Sequence, residues 1–138
     1  MPFTCCILPE QNLVRQTMWG TVNAKALRDM TIAMRDDPQF RKGLDILADF
    51  RRARVDISYD EMLEFATFLG RHGVIGRQAI VVSGQLEFGM ARMFEQLTEL
   101  SVRRTDLKVF LDMEAAERWL GSPAAQGANL PGLSSSKR

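Results

Sequence analysis

Ala79-Ile80-Val81-Val82 is an evenly apolar run, with Arg77-Gln78 before it and Ser83-Gly84 after it. Four successive apolar residues leave neither face of a strand for water, so the run predicts a central parallel strand covered by helices on both sides. Upstream, Leu44 to Phe50 reads as another strand. Ser58 and Glu61 then stand at capping-box spacing ahead of a helix with an apolar stripe of Met62, Phe65, Ala66 and Leu69. Gly73, after Arg71 and His72, is the expected stop. Downstream, Leu86, Met90, Met93, Phe94 and Leu97 recur at helical spacing between Leu86 and Leu100. Leu107 to Leu111 predicts a last strand, and Asp112 caps a final helix anchored by Trp119 and Leu120.

The amino-terminal part reads differently. Phe3 to Leu8 and Leu13 to Trp19 are β-prone runs joined by Pro9-Glu10-Gln11-Asn12, a turn-type cluster, which predicts a hairpin ending at Gly20. Asn23 is the expected cap of a helix with Leu27, Met30, Thr31 and Met34 on one face, stopped at Asp36-Asp37-Pro38. The predicted order is ββαβαβαβα, an α/β fold with a mostly parallel sheet and one antiparallel strand from the hairpin. Residues 1–121 read as one domain. Residues 122–138, rich in Ser, Gly, Pro, Ala and Asn, read as a flexible tail.

Composition narrows the function. Eighteen basic residues nearly cancel 17 acidic ones in the 138-residue chain. Binding to a nucleic acid backbone requires many phosphates to be neutralised, so this balance argues against a nucleic acid partner and makes any anion site local. Cys5 and Cys6 are adjacent and point to opposite faces of a strand, so no disulfide framework is expected and edge-strand packing is their expected role. With no basic leader and no apolar run long enough to span a bilayer, the chain is expected in the cytoplasm. His72 is the single histidine, which argues against a histidine metal cluster. The motifs of nucleophile elbows, phosphate loops and dinucleotide folds are missing, so neither a cofactor nor catalysis is expected.

Three segments in their order resemble the SpoIIAA-like, or STAS-like, proteins related to anti-sigma-factor antagonists. They are Leu44-Asp45-Ile46-Leu47-Ala48-Asp49-Phe50-Arg51, then Ala79 to Val82 leading into Phe88-Gly89-Met90-Ala91-Arg92-Met93-Phe94, then Val109-Phe110-Leu111-Asp112 before Ala115 to Leu120. The resemblance covers about Phe3 to Gly121. It implies a sheet with helices packed around it and a bacterial regulatory or protein-binding role, in a group whose members mostly have undefined functions. Members with a phosphorylated switch carry Asp-Ser-Ser-Gly or Asp-Ser-Thr-Gly after the third strand. The matching region here, Arg51-Arg52-Ala53-Arg54-Val55-Asp56-Ile57-Ser58, lacks that motif, and Ser58 is accounted for as a helix cap.

Ligands of open α/β sheets sit beyond the carboxyl ends of the parallel strands. Arg51, Arg52 and Arg54 are expected to leave the third strand there, and Ser83-Gly84 leads into the helix whose amides could receive an anion. Phe88 and Arg92 lie on that helix, and Ser58 lies near the arginines. Gly89 in a helix implies close packing or approach by a partner. Two readings stand: an adaptor that presents the second and third helices to another protein or to a second copy, and a carrier that holds a small anionic ligand or lipid head group at these loops above an apolar cavity. The adaptor requires an exposed apolar patch. The carrier requires a cavity of roughly 300 Å³ or more near the arginines.

Overall fold

A computed structural model of the chain describes residues 2–72, 76–100 and 106–121. Strands β1 (Phe3–Leu8), β2 (Leu13–Val22), β3 (Asp45–Val55), β4 (Arg77–Val81) and β5 (Asp106–Phe110) form one sheet in that same order. β1 runs antiparallel to β2, and every other pair is parallel. Helix α1 (Ala24–Asp36) links β2 to β3, α2 (Tyr59–His72) follows β3, α3 (Gln85–Leu100) follows β4, and α4 (Met113–Leu120) follows β5. The order is the expected ββαβαβαβα, with a short 3-10 turn at Pro9–Gln11 inside the hairpin.

Local chemistry sets the boundaries. The Asn23 side chain accepts a hydrogen bond from the Ala26 amide at the start of α1, and Asp112 does the same for Ala115 at the start of α4. Such caps contribute about 1 kcal/mol each. Ser58 and Glu61 close the reciprocal capping box of α2, with bonds of 2.9 and 3.1 Å. Asp37 holds the extended backbone imposed by Pro38, which ends α1. The expected stop at Gly73 and the tail at 122–138 lie outside the described residues.

The strands step across the sheet in one direction, so crossovers of a single hand put α1, α2 and α3 on the same face. Their buried residues, among them Leu27, Met30, Phe65 and Phe94, meet Val14, Met18, Ile46, Ala48, Ile80 and Val82 in the main core. Only α4 folds onto the other face, where Ala116 joins Leu47, Ala79 and Val81. This explains why both faces of the Ala79 to Val82 run are apolar. The run is interior but lies second from the edge; β3 holds the central place.

Two strand ends and one helix stripe differ from the sequence reading, and β2 runs through Gly20 to Val22. β3 continues through Arg51, Arg52 and Arg54 to Val55, with a register shift opposite Thr17 and Trp19. An inserted residue of this kind bends a strand and increases its twist. The charges at 51–54 hid the strand, because a two-stranded ribbon that leaves the sheet needs little apolar cover. The stripe of α3 is also rotated: Phe94 and Leu97 are buried, but Leu86 and Met93 are 71% and 41% exposed. Met90 and Ala91 pack against the core in their place.

Candidate functional site

The carboxyl ends of β3 and β4 meet where expected. Ser83 Oγ donates a 2.7 Å hydrogen bond to the Arg51 carbonyl, so the Ser83-Gly84 bend and the arginine segment share one rim. Gly84 adopts φ +88°, a left-handed conformation that favours glycine, and its carbonyl accepts from the Phe88 amide in the first turn of α3. A Cβ on Gly84 would lie 3.5 Å from Glu87 Oε1. The carboxylate of Glu87 therefore sits beside the helix amino end, where the dipole favours negative charge.

The arginine side chains diverge. Arg51 folds back on Asp49, with Nε to Oδ1 and Nη2 to Oδ2 both at 2.9 Å. These bonds hold the Asp49 carboxyl below its ordinary range and raise the Arg51 guanidinium. Arg52 and Arg54 stand in register with Trp19 and Thr21, whereas Ala53 and Val55 are in register with Gly20 and Val22. Val22 is buried in the main core and Val55 lines a cavity on that side. Arg52 and Arg54 thus face the opposite, α4 side of the ribbon and are exposed.

The other expected residues also separate. Ser58 is used as a cap. Phe88 is half-buried and packs on the main core, whereas Arg92 is exposed and lies 3.4 Å from Glu95. Gly89 is exposed, and among the described residues a Cβ there would meet nothing within 4 Å, so close packing against them does not explain it.

Between the sheet and α1, α2 and α3 lies a partly open cavity of about 90 Å³, below the size set for a carrier. Its wall is largely apolar and includes Met30, Met34, Phe65 and Phe94. Ile46 near the start of β3 and Val55 and Ile57 near its end all line it, so the bent ribbon closes over the helix side. Among the described lining residues there is no arginine or lysine, and Glu87 is the single charged group.

Arg77 was not singled out from the sequence. It is only 6% exposed and lies 3.1 Å from Asp45, whose Oδ1 also accepts the Arg77 amide. Its guanidinium donates to the carbonyls of Trp119 and Leu120 at the carboxyl end of α4 and lies 5.7 Å from the Trp119 ring centre. This cluster locks α4 to the starts of β3 and β4. The sequence signal was slight: a charged residue entering an apolar strand.

Among the described residues no helix is long and apolar enough to cross a membrane. A mostly parallel five-stranded α/β sheet with an antiparallel first strand, three helices on one face and one on the other, defines the class of fold. Its likeness is to the crystal structure of an uncharacterized protein of the DUF3478 family with a SpoIIAA-like fold, from Shewanella loihica PV-4. The TM-score is 0.59 at 19% identity, over 86% of this chain and 93% of that one. The fold is therefore SpoIIAA-like. No protein-family model and no curated protein matches the chain.

Proposed function

We propose that the chain is a non-enzymatic, STAS-like regulatory module that works by docking a helix of another protein against the outer flank of α3. The observation that carries this reading is Gly89. It lies between Leu86 and Met93 at helical spacing, and the two neighbours are among the exposed large apolar residues. Leu86, Gly89 and Met93 form a row on the exposed side of α3, while Phe94 on its buried side meets Phe65 of α2 at 5.7 Å. Glycine costs a helix about 1 kcal/mol relative to alanine, and no contact among the described residues accounts for it here. A glycine flanked by two apolar side chains lets a second backbone come close between them.

Arg92, one turn beyond Gly89, borders the row and favours an acidic residue on the partner helix. Tyr59 and Leu63 on α2 and Ile32 on α1 are exposed large apolar residues too.

A photo-crosslinking residue at Gln96, beside the row, tests the assignment against the same residue at Glu64 on α2. In source cells, an adduct with a discrete protein is expected from position 96 and not from 64, and Met93→Asp should abolish it without changing the circular dichroism of the purified chain. Equal adducts from both positions, or an adduct indifferent to Met93→Asp, would refute this docking flank. An adduct at twice the chain mass would replace the partner by a second copy.

A further inference from the structure

We infer that the cavity beneath α1, α2 and α3 is a binding site for a small uncharged amphiphile, a compact apolar body carrying a hydroxyl or amide donor that bonds to Gln78 Oε1. This inference is independent of the docking flank on α3. It starts from two carboxamides in the wrong place. Gln16 on β2 is 3% exposed, and its Nε2 reaches only the Met34 sulfur at 3.6 Å. Gln78 on β4 carries a buried Oε1 that has no hydrogen-bond partner among the described residues. Both residues line the same cavity.

Buried polar atoms are almost always paired in native proteins, because an unmade bond forfeits the water the group has lost. A hydrophobic residue at either position would pack against the same apolar neighbours without that cost. Thr31, the other short polar group in the wall, has already spent its hydroxyl on the Leu27 carbonyl at 3.0 Å. Apart from the Glu87 carboxylate, whose charge sits at the amino end of α3, the side-chain donors and acceptors left over in the wall are therefore carboxamides. They suit a hydroxyl or an amide and offer nothing to balance a negative charge.

The charge pattern selects the same class. Arg51 is engaged with Asp49, and Arg52 and Arg54 face the other side of the ribbon, so no cation from that segment lines the cavity. Glu87 is the lining residue with a charge, and it would repel an anionic head group. The carrier reading of the sequence, an anionic head above an apolar slot, is thus replaced by a neutral ligand inside the slot.

Size limits the ligand further. The volume of about 90 Å³ exceeds that of a single water and falls short of a cavity of about 150 Å³ that takes benzene. Met30, Met34, Met62 and Met90 in the wall are unbranched and adaptable, so the slot can widen around a branched aliphatic group.

Titrating isobutanol into the full chain labelled with ¹³C at its methionine methyls tests the inference, with isobutyrate and xenon as the charged and the purely apolar comparison. Isobutanol should give saturable shifts at the cavity methyls. Isobutyrate at neutral pH should bind at least ~10-fold more weakly, the scale on which a buried charge without a partner is rejected. Gln78→Leu should weaken isobutanol by a similar factor while xenon still shifts the same methyls. Equal binding of isobutyrate, undiminished isobutanol binding to Gln78→Leu, or a cavity that admits xenon and not isobutanol would each overturn the inference. So would a site that takes water alone, with no saturable shift from any of the three. Should Gln78→Leu not fold, the comparison of alcohol with carboxylate in the unaltered chain still decides.

Discussion

Gly89→Ala adds one methyl group at a position where the docking argument and the folding argument pull in opposite directions. Residue 89 is the fifth of α3, Gln85–Leu100, well inside the helix, and the added Cβ meets nothing within 4 Å. The change is thus a nearly pure helix-propensity difference, worth about 1 kcal/mol in favour of alanine. With a urea m-value of about 1–3 kcal/mol/M, the unfolding midpoint should rise by about 0.3–1 M at constant m. The melting temperature should rise by about 4 °C. The same variant should lose the crosslink to its partner, because the methyl fills the notch between Leu86 and Met93. Gly76→Ala supplies the opposite case. There a Cβ would fall 2.4 Å from Asp45 Oδ1 and 2.8 Å from the Gly43 carbonyl oxygen, so it should destabilise by about 1–3 kcal/mol. A midpoint for Gly89→Ala that is unchanged or lowered would mean that this side of α3 is already covered in the isolated chain, and the reasoning would fail.

Arg77→Met should cost about 3–5 kcal/mol in denaturant melts, since it strands the Asp45 carboxylate and two carbonyls of α4; Asp45→Asn in the same chain should recover part of that loss. The Asp49 carboxyl is held below its ordinary range mainly by its hydrogen bonds from Arg51, so its stabilisation is complete above the unfolded carboxylate range and disappears as pH falls through the lowered native value. The pair is partly exposed and screened, so Arg51→Ala should flatten only the acid limb of the stability profile, by no more than about 1 kcal/mol. Burial raises the Cys5 thiol to about 11, with the nearby Asp37 charge adding to it. At pH 8 iodoacetamide should therefore modify Cys5 at least ~100-fold more slowly in the native chain than in urea, while exposed Cys6 reacts in the native state. Equal native rates for the two thiols would refute this assignment.

Much of the fold was legible because its signals are local. Asn23, Ser58 with Glu61, Pro38 and Asp112 each act within four residues of themselves, and each does in the structure what its spacing implies. Ala79 to Val82 announced a strand with two covered faces for the same reason. The candidate site was less legible. Its rim was placed correctly, since Ser83 touches Arg51, but the direction of each arginine depended on a register shift between β2 and β3 that no local pattern encodes.

Apolar and polar periodicity and capping chemistry, all read within a few residues, were enough to determine the element order, the helix starts and the α/β class. Packing across the sheet decided the rest: which face each helix covers, why Leu86 and Met93 stay in water while Gln16 is buried, and how Arg77 comes to hold α4. Those outcomes join residues distant in the chain, so their energies exist only once the strands are aligned.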